Sequence, residues 1–242
     1  MTPLPRRDFI QSAALAAGTA IAIGAAGSSE ASAQTQPAAN TGKTMSYAIK
    51  PMSFDPQKIT GMSEKLLISH YENNYSGAVK RLNQIAEQLA GLDFDKTPGF
   101  VINGLKREEL IATNSMILHE VYFDGLGPES QPGPEISAAL DRDFGGFARW
   151  RSEFTNTGKA LGGGSGWVIL AYSPHDKRLV NQWAADHTTT LAGGRPVLVL
   201  DMYEHAYHMD YGAKAASYVD AFMKAIRWDN VAMLHARYSA ST

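Results

Sequence analysis

The sequence predicts an α+β fold, with an N-terminal helical hairpin followed by a C-terminal α/β part that contains a three-stranded antiparallel sheet. Apolar residues recur at helical spacing through residues 63–123, and three short apolar runs follow between residues 167 and 200. A cluster of Gly and Pro over 125–133 separates the two patterns. Because helices come first and strands later, without regular alternation, the order favours an α+β arrangement over a parallel α/β one.

The first 33 residues have the features of a twin-arginine export signal. Arg6 and Arg7 form the arginine pair, an Ala- and Gly-rich apolar stretch covers 13–27, and 31–33 reads Ala-Ser-Ala, an A-x-A cleavage pattern. The alternative is an uncleaved membrane anchor, but the stretch is short and interrupted by Gly and Thr. We therefore expect a periplasmic or secreted protein with no stable membrane insertion after cleavage.

These features divide the chain into four segments. They are a signal peptide over 1–33, an extended N-terminal segment over 34–61, a helical hairpin domain over 62–126 and a C-terminal α/β domain over 127–242.

The hairpin domain is predicted to contain two long helices. Ser63 can cap the first, which reaches Gly91, and a loop with Pro98 and Gly104 follows over 91–105. The apolar stripe of the first helix is Leu67, Tyr71, Tyr75, Val79, Leu82, Ile85 and Leu89. The second helix is expected over 106–123, with the stripe Leu110, Asn114, Ile117 and Val121.

The C-terminal domain is predicted to place a sheet between helices. A third helix begins at Pro134 or Glu135, and a fourth covers 147–161 and ends at the Gly-rich run 162–166. The strands are expected at 167–172, 178–183 and 196–200, the first two as a hairpin, and two more helices at 213–226 and 228–238.

Composition narrows the chemistry of the protein. The 242 residues include no cysteine, which excludes disulfides, thiolate metal sites and thiol nucleophiles. The net charge is -2, with an isoelectric point near 6.4, so no basic surface for nucleic acid is expected. Any metal must be held by His, Asp or Glu.

The most informative motif is Asp201-Met-Tyr-Glu-His205-Ala-Tyr, directly after the third predicted strand. A strand that ends on Asp201, followed by a turn that carries His205, can direct both side chains at one point. His70 and His119 lie on the two candidate helices upstream. Three imidazoles and one carboxylate form a nitrogen and oxygen site suited to iron or manganese. A lone His on a helix is more often a core residue, but the four together favour a metal site.

This set of residues resembles the iron/manganese superoxide dismutases. The segments from Phe144 to Trp150 and from Gly164 to Trp167 add to the resemblance, which covers nearly all of residues 50–238. The resemblance implies one Fe or Mn ion per subunit, held by His70, His119, Asp201 and His205, with superoxide as the substrate. It also implies a homodimer in which Glu204 reaches the partner subunit's His205.

The resemblance further implies a residue that orients the solvent molecule at the metal. Alignment of the second strand and its following loop places His187 at this position. The rival position, one turn before His119, holds Ser115, whose side chain is too short. His175 and His235 are expected to be solvated.

The sequence departs from the family around the substrate channel. Asn74 and Ala78 stand where the family usually has a His and a Tyr, and Asn73 stands where it has a Lys. Ala215 replaces an Arg, and His208 replaces a Tyr. The changes at Asn73 and Ala215 remove two cations near the channel, which lowers local attraction for an anion, and Ala78 removes the hydroxyl donor of the gate Tyr.

Other residues are candidates to fill the altered channel. Tyr75 or His208 is expected to take up part of the space as a catalytic-site residue, and Lys80, Arg81 or Lys214 can restore positive charge, although charges of this kind are usually solvated.

Two functions therefore stay open. The first is an exported superoxide dismutase that converts superoxide to dioxygen and hydrogen peroxide. The alternative is a metal-binding protein of the same fold with weak or different redox activity. An iron oxygenase with two His and one carboxylate is disfavoured by the third His. The ligand set suits iron and manganese equally, and both a dimer and a tetramer fit the sequence.

Overall fold

A computed structural model describes residues 45–241, so the predicted signal peptide lies outside the described residues. The described part has the predicted α+β architecture, with helices first and a three-stranded antiparallel sheet in the C-terminal half. The helices are α1 (Glu64–Ser69), a π-helical segment (His70–Tyr75), α2 (Ser76–Ala90), α3 (Gly99–Asp124), α4 (Pro134–Phe144), α5 (Phe147–Ala160), α6 (His208–Tyr211), α7 (Ala215–Lys224) and α8 (Trp228–Ser239). The strands are β1 (Trp167–Ser173), β2 (Arg178–Ala184) and β3 (Arg195–Asp201), and two 3-10 turns cover Pro56–Lys58 and Glu204–Ala206.

The first predicted helix begins as expected but is not uniformly α-helical. The Ser63 hydroxyl accepts a hydrogen bond from the Leu66 N–H at 3.1 Å, which confirms the cap. The π-helical segment then interrupts the α-helix, a feature that the apolar spacing did not predict. Its i to i+5 hydrogen bonds place residues five apart on one face. His70 and Tyr75 are therefore both buried.

The second predicted helix differs from the structure at its start and on its buried face. Helix α3 begins at Gly99 and not at residue 106, so Gly104, which was expected in a loop, lies inside the helix. The predicted stripe was wrong in part, since Leu110 and Ile117 are exposed. The buried face is Ala112, Ser115, Met116, Leu118, His119, Tyr122 and Phe123.

The sheet has the order β2-β1-β3, with both pairs antiparallel, as predicted for the first hairpin. Every residue of the central strand β1 is buried. Trp167 at the start of β1 pairs with Asp201 at the end of β3, and the Met202 N–H donates to the Gly166 carbonyl at 2.9 Å. This register fixes the backbone of Asp201 at one end of the sheet.

The helices bring the other site residues to that end of the sheet. Helix α2 packs along α3, and α3 in turn packs against β3. His119 on α3 and His70 in the π-helical segment consequently face Asp201. None of the helices within residues 45–241 has the length and apolar character needed to cross a bilayer.

Candidate metal centre

The structure brings the four predicted ligands together. One ligand atom from each of His70, His119, Asp201 and His205 lies within 4.8 Å of every other. The side chains of His70, His119 and Asp201 are at most 1% exposed, whereas that of His205 is 26% exposed. Residues up to 135 positions apart in the sequence therefore converge in a pocket that is almost closed to solvent.

The spacing of these atoms fits a single ion. Asp201 Oδ2 lies 3.1 Å from His70 Nε2, 3.1 Å from His205 Nε2 and 3.6 Å from His119 Nε2. Bonds of about 2.1 Å to one metal would separate two ligands by about 3.0 Å at right angles and by about 3.6 Å at 120°. The four residues could thus hold a metal ion with little rearrangement.

A hydrogen bond fixes the orientation of His119. Its Nδ1–H donates to the Ser115 carbonyl at 2.6 Å, one helical turn earlier. The neutral ring then carries no proton on Nε2, which is buried without a hydrogen-bond partner. A buried lone pair directed at a carboxylate is the arrangement that a cation between them would satisfy. His70 Nδ1 is also buried without a partner, and nothing in the described residues accounts for it.

The electrostatics of the cluster favour a cation. Burial raises the pKa of the Asp201 carboxyl, but the imidazoles of His205 and His70 lower it more, so its pKa lies well below the usual range. Burial, reinforced by His70, lowers the pKa of His119 to about 3, and burial also lowers the pKa of His70. At neutral pH the cluster therefore presents the Asp201 carboxylate and the neutral imidazoles of His70 and His119, which is the protonation state that metal binding requires of these three residues.

We expect the metal-free protein to lose stability as the pH falls from 6.5 toward 3. In this range the unfolded chain protonates His119, whose ordinary pKa is 6.5, while the folded chain keeps it neutral. The free energy of unfolding should fall by up to about 1.4 kcal/mol per pH unit for each such His. Urea unfolding between pH 7.5 and 5 measures the slope of the free energy of unfolding against pH. His119→Gln should reduce this slope by the equivalent of about one bound proton. An unchanged slope in the variant would contradict the assignment.

His187 lies beside the cluster, as the resemblance implied. Its ring centroid is 6.3 Å from that of His119, and its Nδ1 accepts a hydrogen bond from Trp167 Nε1–H at 3.1 Å. A neutral His187 therefore carries its proton on Nε2 and can donate from that atom. Burial lowers the pKa of His187, which favours this neutral form. The Asn114 amide also donates to the His187 carbonyl at 2.6 Å and fixes the loop.

The other two predicted site residues lie elsewhere. The Tyr75 hydroxyl accepts from the Lys50 N–H at 2.9 Å and donates to Glu120 at 3.2 Å, so it anchors the N-terminal segment. His208 is exposed at the start of α6. Neither side chain joins the four-residue cluster. His175 is exposed as predicted, but His235 is not fully solvated, because its Nε2 is buried without a partner.

Tyr203 is a site residue that the sequence analysis missed. Its ring stacks on His187 with centroids 4.9 Å apart and on His205 at 5.4 Å. Its N–H donates to Asp201 Oδ1 at 2.8 Å, which leaves Oδ2 directed at the three imidazoles. The signal was present in the sequence, since an Asp commonly accepts from the backbone N–H two residues later.

Comparison with known proteins agrees with this geometry. The family model described as "Iron/manganese superoxide dismutases, C-terminal domain" matches residues 132–234. The chain is 66% identical to "Superoxide dismutase [Fe]" of Cupriavidus metallidurans over 78% of its own length and 95% of the relative. It is 35% identical to "Superoxide dismutase [Fe]" of Aquifex aeolicus, over 73% of this chain and 85% of the relative. It is 30% identical to "Superoxide dismutase [Mn] 2" of Haloferax volcanii, over 80% of this chain and 96% of the relative. The chain belongs to the iron/manganese superoxide dismutase family.

Proposed function

We propose that the protein is an exported superoxide dismutase with one iron or manganese ion per subunit. The reaction consumes two superoxide anions and two protons and gives dioxygen and hydrogen peroxide. The observation that carries the proposal is the buried convergence of His70, His119, Asp201 and His205. Family membership and the names of the relatives, which include both iron and manganese enzymes, support it.

The residues of the chain have separate tasks in this reaction. A bound iron or manganese ion would supply one-electron redox chemistry. The three imidazoles would hold the ion through Nε2, and Asp201 would supply one negative charge, which offsets part of the charge of a buried cation. The burial of His70, His119 and Asp201 keeps bulk water away from these three ligands. His187 offers a donor at Nε2 beside the cluster, where it can orient solvent and supply a hydrogen bond to an anion.

We expect His187→Ala to lower the turnover by about 10- to 100-fold while the metal content stays near that of the native protein. His187→Gln retains an N–H donor and should recover part of the activity. Metal analysis and superoxide decay, measured on the same samples, separate the two effects. Equal activity of the native protein and both variants would remove His187 from the mechanism.

Superoxide decay on metal-reconstituted protein tests the proposed activity. Protein loaded separately with iron and with manganese is compared with the same concentration of free metal ion. At least one form should accelerate decay far beyond the free ion. Rates equal to those of the free ions would exclude the proposed function.

A homodimer through Glu204 and His205 is part of the proposal. Glu204 is exposed, and its carboxylate forms no hydrogen bond or ion pair within residues 45–241. His205 is the one cluster member with substantial exposure, and its Nδ1 has no partner in the same part of the chain. A carboxylate from a second copy would cover this edge and orient the ring.

Light scattering at micromolar concentration should give the mass of a dimer, and Glu204→Ala should shift the equilibrium toward monomer. Glu129→Ala, which removes another exposed carboxylate, is the matched control and should leave the mass unchanged. A native protein that is monomeric under these conditions would refute the dimer.

Export by the twin-arginine route is also proposed, and its support is the sequence of residues 1–33. This route carries folded proteins, which suits a protein that acquires its metal before export. Replacement of Arg6 and Arg7 by Lys should retain the protein inside the cell, as fractionation would show.

A second function has one observation in its favour. The positions that usually form the substrate gate hold Asn74 and Ala78, and both line an open cavity. A wider channel would suit a metal-binding protein with weak or different redox activity. Full metal loading with superoxide decay near that of free ions would support this alternative.

A further inference from the structure

A cavity of about 260 Å³ adjoins the residues that support the histidine cluster. We call it the entrance cavity. Ser115 on its wall holds His119 through its carbonyl, and His187 forms another part of the wall. Ala78 contributes only a methyl group at this point of α2. The cavity is larger than the 150 Å³ or so that encloses a benzene ring in an apolar protein interior, so it has room for a small organic molecule.

The two sides of the entrance cavity differ in chemistry. Ile111, Ala112 and Ala78 form an apolar wall. The polar side includes Arg81 and Asn74, and the Asn74 amide makes no side-chain hydrogen bond within the described residues. Together with the His187 donor, these groups offer N–H bonds and no carboxylate to a ligand. Such a lining suits a molecule with one anionic end and one apolar end.

Arg81 is the one Lys, Arg, Asp or Glu among the described residues that line the entrance cavity. Arg81 forms an ion pair with Glu108, and the Glu108 carboxylate also lies 3.3 Å from Arg107 Nη1. Two guanidinium groups thus share the carboxylate of Glu108, so that carboxylate is not reserved for Arg81. A guanidinium has five N–H donors, and the pairing with Glu108 leaves others on Arg81 free for an oxyanion.

We propose that the entrance cavity binds a small monocarboxylate. The carboxylate pairs with Arg81 and accepts from Asn74, and the apolar end lies against Ile111, Ala112 and Ala78. The ligand occupies space that the chain itself forms, so the site exists with or without a metal ion. The proposal does not depend on superoxide chemistry, because binding is measured directly.

Calorimetric titration with benzoate tests the site on metal-loaded protein and on the same protein after metal removal. We expect saturable binding in both forms with a Kd on the order of 1 mM, as suits a ligand of this size. Nitrate, which has the charge without the apolar end, should bind at least about tenfold more weakly. Equal binding of nitrate and benzoate would contradict the role of the apolar wall.

Two variants and one control locate the ligand. Arg81→Gln should weaken benzoate binding by about tenfold. Ala78→Phe fills the cavity and should abolish binding. If the Phe side chain impairs folding, Ala78→Val is used in its place. Arg107→Gln removes the other guanidinium that contacts Glu108 but does not line the cavity, so it should change the Kd by less than about threefold. The proposal fails if binding does not saturate or if both Arg variants have equal effects. It also fails if benzoate binds only to the metal-loaded protein and Arg81→Gln leaves the Kd unchanged.

Discussion

His119→Ala is expected to abolish both metal retention and superoxide decay. The side chain is 1% exposed and supplies one of the atoms within 4.8 Å of the others, so its loss opens the pocket and removes a ligand. Replacement of a group that only supports a ligand already costs about 10- to 100-fold, so the loss of the ligand itself should exceed about 100-fold in activity. Elemental analysis and superoxide decay measure the two effects on one preparation.

His175→Ala is the matched control for this experiment. His175 is exposed in the turn between β1 and β2 and contacts Asp176, and this turn lies at the end of the sheet opposite Asp201. Its removal should leave metal content and activity unchanged. If His119→Ala kept its metal and its activity, the assignment of the ligands would be wrong.

Gly166→Ala is expected to produce the largest loss of stability. Gly166 has φ of +134°, and a Cβ built on it would lie 2.3 Å from the Ala184 carbonyl oxygen. An L-residue at this φ is strained, and the oxygen belongs to the backbone of β2 and cannot rotate away. We expect a loss of about 3 kcal/mol or more, equivalent to about 10 °C in Tm for a chain of this size.

The same substitution should disturb the metal centre. The Gly166 carbonyl accepts from the Met202 N–H, next to Asp201, so displacement of Gly166 moves the end of β3. Gly163→Ala is the control, because Gly163 also has a positive φ of +81° but no atom lies within 4 Å of its added Cβ. It should cost only about 1 kcal/mol. Chemical unfolding of the metal-free variants compares the two, and equal losses would show that the contact with Ala184 is unimportant.

The strands and the ligands were predictable because their signals are local. Three apolar runs bounded by turn residues marked β1, β2 and β3, and the structure extends each predicted strand by one or two residues. Asp201 and His205 share one short motif, so their proximity follows from a strand end and a turn. The placement of His70 and His119 at the same site was predictable only from the resemblance, because spacing alone does not show that two helices meet.

The helical hairpin was less predictable because its details depend on tertiary contacts. Helix α3 packs against α2 on one side and β3 on another, so its buried face follows those neighbours and leaves Leu110 and Ile117 exposed. The π-helical segment adds one residue to a turn, which periodicity averaged over the helix does not detect. The bonds of Tyr75 to Lys50 and Glu120 likewise depend on how the N-terminal segment lies across the helices.

The central claim is that four side chains hold one redox-active ion, and anomalous diffraction from crystals of metal-reconstituted protein tests it most directly. Data collected on both sides of the iron and manganese absorption edges should show a single peak per subunit. That peak should lie about 2.2 Å or less from Nε2 of His70, His119 and His205 and from Asp201 Oδ2. A fully loaded protein whose ion lies at other residues would contradict the account.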